Sequence, residues 1–183
     1  MSDTEAVNRT AVAAAHALRV LGPGPLADLR RMDPEAGSPA FWRLAAQHPD
    51  TIGRKPLEWA EIIRILAILT PKGAPENRPP LHDASRPLGE VLCEGGDPGW
   101  SGNRPVVSEI RLAQLLAARG PARIVALTRT ARMLARSRPA AAGLDVRGLA
   151  WAVLDPKGTA RIAEAYYRRL DRAETARIKE PTT

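Results

Sequence analysis

The sequence predicts an all-α fold of about nine helices in two small helical bundles, and three observations carry that expectation. Apolar residues recur at spacings of three and four in nearly every segment, no convincing run alternates apolar and polar positions, and Gly/Pro clusters interrupt the chain between the periodic stretches. With 183 residues, 44% of them hydrophobic, the chain is long enough to bury a core.

The elements follow in order. Thr4 to Leu21 is Ala-rich with Val7, Ala11, Ala14 and Leu18 on one side, and Gly22-Pro23-Gly24-Pro25 stops it. A short helix runs from about Leu26 to Met32. Ser38 before Pro39 is an N-cap followed by a first-turn proline, and it starts "AFWRLAAQH", with Phe41, Leu44 and Ala45 on a shared face. From Pro56 to Leu69 the residues Trp59, Ile62, Ile63, Ile65, Leu66, Ile68 and Leu69 leave few polar positions, so this helix is expected to be central. Five prolines make residues 70–87 a loop, and a short helix covers about Leu88 to Cys93. The irregular stretch 94–105 then separates an N-terminal bundle, residues 1–95, from a C-terminal one, residues 106–183. Ser108 caps the next helix, with Glu109 in its first turn where a carboxylate favours the dipole. Gly120-Pro121 ends that helix and begins another, to about Ser137. Asp145 caps a helix carrying Val146, Leu149 and Val153, "DPKG" at 155–158 turns the chain, and a last helix spans Thr159 to about Lys179. Trp42, Trp59 and Trp151 are assigned to the core, and adjacent Tyr166 and Tyr167 are taken as partly core rather than base-stacking.

Charge is unevenly distributed. Residues 1–109 hold 12 Lys/Arg against 14 Asp/Glu, whereas residues 110–183 hold 15 against 6. The overall +7 and the pI near 10.4 favour a polyanionic partner. Between Ile110 and Leu144 there are seven arginines (111, 119, 123, 129, 132, 136 and 138) and no acidic residue. At about 100° per residue, Ile124, Leu127, Ala131 and Leu134 share one side of their helix while Arg129, Arg132 and Arg136 share the other. A solvated basic face is one reading of that stripe. The absence of any carboxylate for i,i+4 pairing favours phosphate, whose oxygens match the planar guanidinium fork. In the last helix Arg161, Arg168 and Arg172 also share a side, but Glu164 and Asp171 lie beside them, and that stripe reads as ordinary surface.

Enzyme signatures are missing. "TPKG" lacks the glycine and hydroxyl of a phosphate-binding loop, "GWSGN" is not a nucleophile elbow, and His16, His48 and His82 lie in separate segments. Cys93 is the only cysteine, so neither an intramolecular disulfide nor a cysteine-built zinc site can form. No cofactor or metal is expected. The polar, acidic "MSDTEAVNRT" start and the lack of a long apolar window give the expectation of a soluble cytoplasmic protein that does not enter a membrane.

Several stretches taken together resemble the CasB family, the small subunit of the type I-E CRISPR Cascade complex. They are "PLADLRRMDPEAGSPAFWRL" (25–44), "WAEIIRILAILT" (59–70), "RPLGEVL" (86–92), "SEIRLAQLLAARGPARIVALTRTARML" (108–134) and "IAEAYYRRL" (162–170). The first and fourth are the most specific, with a double arginine, a Pro-Ala-aromatic-aromatic-Arg-Leu run and a Ser-Glu-x-Arg-x-x-x-Leu helix start in the right order. The resemblance implies an all-helical, non-catalytic subunit. Two copies of it stack head to tail with the other Cascade subunits and help hold the guide RNA–target DNA hybrid and the displaced strand. Carried over residue by residue, Arg31, Arg111 and Arg129 fall on positions that face nucleic acid in this family. Arg132 and Arg136 extend that face by the helical argument alone, and Lys157 lies in a loop where the family also carries basic residues, although "DPKG" departs from the family pattern. The loop "GGDPGWSGNRP" also looks longer than in relatives. Two other readings stay open: a helical DNA-binding regulator built around Gly120-Pro121, and a scaffold subunit whose basic face docks an acidic protein.

Overall fold

The computed structural model describes residues 2–97, 99–102, 104–139, 142–155 and 159–179. These form α1 (Asp3–Val20), α2 (Pro23–Arg31), α3 (Pro39–Gln47), α4 (Pro49–Ile52), α5 (Pro56–Leu69), α6 (Leu88–Glu94), α7 (Glu109–Ala117), α8 (Gly120–Ser137), α9 (Val146–Leu154) and α10 (Thr159–Lys179). A 3-10 turn covers Pro75–Asn77. The fold is all-α, as the periodicity requires, and no strand occurs among the described residues. A single bridge joins His82 and Leu144, closed by the Asp83 amide on the Leu144 carbonyl at 2.9 Å and the Leu144 amide on the Leu81 carbonyl at 2.8 Å. The four-residue α4, started by Pro49, is the helix absent from the sequence reading.

Local chemistry accounts for the helix starts. Ser2 accepts from the Glu5 amide and Ser38 from the Phe41 amide, each at 3.3 Å, and Asp145 accepts from the Arg147 amide at 3.0 Å. Ser108 occupies an N-cap position without a side-chain bond. Of these helices α5 is the centre: Trp59, Ala60, Ile62, Ile63, Ile65, Leu66, Ala67 and Leu69 are all buried, and α1, α2, α8 and α9 pack around it. The small residues Ala11, Ala14 and Ala15 of α1 are buried where that helix meets α5 and α9. Helix α6 precedes the 94–105 loop and packs mainly against α10. Their approach is close enough that a Cβ on Gly89 would stand 2.1 Å from the Ile162 carbonyl oxygen. Glu94, buried at the end of α6, is paired with both Arg86 and Arg169. The Arg169 guanidinium also lies 5.0 Å from the Trp100 ring centroid and donates to the Trp100 carbonyl at 2.9 Å, which ties the loop to α10.

Helix ends inside the protein need donors for their last carbonyls. At the end of α5, Arg30 donates to the carbonyls of Ala67 and Thr70, both at 2.8 Å, and Arg138 donates to Leu69 at 2.7 Å. Burial, together with neighbouring Arg78, lowers the Arg30 pKa, and burial with neighbouring Arg86 takes that of Arg138 down to about 10. Both stay charged at neutral pH. At the end of α1, Arg78 is only 2% exposed and donates to the carbonyls of Arg19 at 3.1 Å, Leu21 at 2.5 Å and Gly73 at 2.7 Å. Arg19 returns a bond to the Arg78 carbonyl at 2.7 Å. The proline-rich 70–87 loop is thereby fastened to α1.

Arg78→Ala strips a charged donor from several buried carbonyls and is expected to cost about 2–4 kcal/mol. Arg78→Lys should restore only part of it, because an ammonium cannot span the same acceptors. Denaturant unfolding followed by circular dichroism measures both. Cys93 is fully buried, and burial pushes its thiol from 9.0 up to about 12. It should therefore resist thiol reagents in the folded protein at neutral pH and react on unfolding. Because the folded state retains a proton that the unfolded chain releases, its contribution to stability is present below pH 9 and is lost as pH rises toward 12. Cys93→Ala should flatten that alkaline decline.

Candidate nucleic-acid interface

Helices α7 and α8 are joined by Ala118 and Arg119 alone, and Gly120 turns the chain with φ of +49° before Pro121 starts the new helix. Leu112 and Leu115 anchor α7, while Leu127, Ala131 and Leu134 bury one face of α8, which packs against α5. With that face fixed, helical geometry turns Arg129, Arg132 and Arg136 outward, and all three are exposed. Ile124, expected among the buried positions, is only half-buried.

A groove of about 960 Å³ runs between the two helices. Arg111 lines it from α7, and Arg129, Arg132 and Arg136 line it from α8. The remaining lining is mainly aliphatic, with Leu115, Val125, Ala126 and Met133, and includes no acidic side chain. Arg111 reaches across, its Nη1 3.6 Å from the Met133 sulfur. Among the described residues no carboxylate comes within ion-pair distance of any of the four guanidinium groups. Seven residues separate Arg129 from Arg136, so the α8 row spans roughly 10 Å. Four fixed positive charges over an apolar floor suit phosphate oxygens, and only Gln114 among the lining side chains carries an amide able to read a base edge.

The other three arginines of the acid-free window are structural. Arg119 donates to the carbonyls of Leu116 at 2.6 Å and Ala118 at 2.9 Å, closing the end of α7. Arg123 is 4% exposed and donates to the carbonyls of Ala152 at 3.5 Å and Asp155 at 3.1 Å, so it fastens α8 to the end of α9. Arg138 serves α5 as described.

Of the remaining sequence candidates, Arg31 ends α2 in the open, 3.4 Å from Asp28, and does not line the groove. Lys157 lies outside the described residues. On α10, Arg168 pairs with Glu164, and Arg172 with Glu90 at 3.3 Å, which fits their reading as ordinary surface, whereas Arg161 of the same stripe has no such partner among the described residues. Trp42 departs from its core assignment: it is 51% exposed, its ring covering Gly37 and its Nε1 donating to the Ala36 carbonyl at 3.4 Å. The apolar face of α3 is completed by Phe41 and Leu44, which leaves position 42 outside. Trp59 is buried, and Trp151 is half-buried with its Nε1 donating to Asn8 Oδ1 at 2.9 Å. No group of His, Cys, Asp and Glu among the described residues could hold a metal, and no described helix is long and apolar enough to cross a membrane.

Residues 25–173 match the family described as CRISPR-associated protein Cse2. No curated protein and no solved structure gives a significant match to the chain.

The division of the arginines can be measured without any ligand. Arg123→Ala should lower the melting temperature clearly, because buried carbonyls lose their donor. The combined Arg129→Ala, Arg132→Ala and Arg136→Ala change should stay within about 0.5 kcal/mol of the parent, since exposed positions gain the best helix former. Equal destabilisation of the two variants would contradict this assignment.

Proposed function

The chain belongs to the Cse2 (CasB) family of type I-E CRISPR systems, and from that premise we propose that it is the non-catalytic small subunit of a Cascade effector. In this reading the α7–α8 groove holds nucleic acid by its backbone, and the subunit works beside guide RNA, target DNA, the other Cascade subunits and a second copy of itself. The observation that carries it is the convergence of Arg111, Arg129, Arg132 and Arg136 on one groove with no carboxylate among its lining residues. In RNA-guided recognition base pairing supplies the sequence, so the protein needs only to recognise the backbone and to stabilise the displaced strand. A groove of guanidinium groups with one amide suits that division of labour better than a base-reading regulator helix would. Arg31 and Lys157 are proposed as further contacts on the strength of the family resemblance.

Phosphate contacts release counterions, so the logarithm of affinity falls with the logarithm of salt by about 0.7 per phosphate neutralised on single strands. Replacing Arg129, Arg132 and Arg136 by alanine should weaken binding to single strands of any sequence, reduce that slope by up to about 2, and impair target capture by the assembled complex. Arg168→Ala with Arg172→Ala should do much less, because Glu164 and Glu90 already pair with those side chains. Fluorescence anisotropy over a salt series decides: an unchanged slope in the folded triple variant, or greater damage from the α10 pair, would sink the groove assignment. Sequence preference would support the regulator instead, and failure to bind any nucleic acid would support the acidic-protein scaffold.

A further inference from the structure

A second cavity, of about 550 Å³, opens where α1, α6, α9 and α10 meet, and it shares no residue with the α7–α8 groove. Its volume falls within the range of about 300–1,000 Å³ usual for small-ligand sites. Two carboxylates, Asp145 and Asp155, and two guanidinium groups, Arg147 and Arg161, line it. Asp145 is answered by Arg147, whose Nε and Nη2 donate to its two oxygens at 2.7 and 2.9 Å. Asp155 is a second carboxylate on the wall, and its backbone carbonyl accepts from Arg123 at 3.1 Å. Arg161 is exposed and has no hydrogen-bond or ion-pair partner among the described residues. The cavity therefore presents one unanswered guanidinium. Trp151 forms part of the wall, and because its indole N–H is already engaged by Asn8, what it can offer a ligand is its ring.

Gly148 supplies an independent pointer. It lies in the first turn of α9, a helical position that alanine would favour over glycine. Its φ is not positive, and a Cβ there would meet nothing closer than the Leu88 Cβ at 3.8 Å. Gly89 on α6, by contrast, is required by close packing. Neither backbone nor packing demands glycine at 148, but this position lines the cavity, and a larger side chain would enter it.

We propose that this cavity binds one nucleotide unit, its base against Trp151 and its phosphate on Arg161. A planar ring with an attached anion is the chemistry that an indole face and a free guanidinium recognise together. The unit is either a free nucleoside monophosphate or the phosphorylated end of a strand. The test titrates the full chain with adenosine and thymidine monophosphates, and with a dinucleotide carrying or lacking a 5′-phosphate, by calorimetry and tryptophan fluorescence. Saturable binding is expected, weakened about tenfold by Arg161→Ala, the loss of one charge-assisted hydrogen bond, and prevented by Gly148→Leu, which fills the space. Binding of the monophosphates identifies a free nucleotide as sufficient; binding of the phosphorylated dinucleotide alone identifies a strand end. Absence of binding by every probe at millimolar concentration overturns the proposal, as does binding indifferent to Arg161→Ala. Binding lost in the Arg129, Arg132 and Arg136 triple variant but kept in Arg161→Ala places the nucleotide in the groove and also overturns it. Should Gly148→Leu fail to fold, the exposed Arg161→Ala decides alone.

Discussion

Helices α1, α5 and α9 end against other parts of the protein, where their last carbonyl oxygens cannot all reach water, and guanidinium groups from elsewhere in the chain supply the missing donors. Arg78 serves α1, Arg30 and Arg138 serve α5, and Arg123 serves α9. A helix C-terminus carries partial negative charge as well as unpaired acceptors, so a cation that also donates several hydrogen bonds answers both needs. The planar fork of arginine reaches two or three carbonyls at once, as Arg78 does, and each such bond to a charged donor is worth about 1.5–3 kcal/mol. Because each donor also reaches acceptors on a different element, these bonds set the positions of those elements as well. Arg138, at the end of α8, holds the end of α5, and Arg123, near its start, holds the end of α9.

The groove is a by-product of that arrangement. With α8 fixed at both ends, and its apolar stripe on α5, the opposite face has only one direction in which to point. Among the described residues, the three arginines there and Arg111 on α7 are left with neither carbonyls nor carboxylates to bind. The chain's net positive charge therefore overstates the cationic surface in general, and understates its density at this one place.

Much of this was legible in the sequence, for reasons that particular residues make plain. Ser38-Pro39 and Asp145 act through bonds to amides two or three residues away, so local pattern reveals them. The central place of α5 follows from its nearly continuous apolar surface, and the outward face of α8 from its period. What was hidden depends on residues remote in sequence. Arg123 and Arg129 look alike in the chain, yet one is buried because the carbonyls of Ala152 and Asp155 arrive beside it. Hydrophobicity alone points Trp42 to the core, whereas the neighbouring Phe41 already fills that side of α3. The single turn of α4 is too short to show a period. The cavity beside Trp151 draws on four helices, and no spacing in the sequence announces it.

The central helix also has a consequence for the order of events during synthesis. α5 is covered on one side by α1 and α2, which precede it, and on the other by α8 and α9, which follow the long 70–87 loop, α6 and α7. A chain emerging from the ribosome can close the first side at once but must leave the second uncovered while all of that later sequence is made. During that interval the flank of Ile, Leu and Ala side chains destined for α8 and α9 faces solvent. The nascent protein is thus most exposed to aggregation, and most in need of a chaperone, in the window before Leu127, Ala131 and Leu134 arrive to cover it.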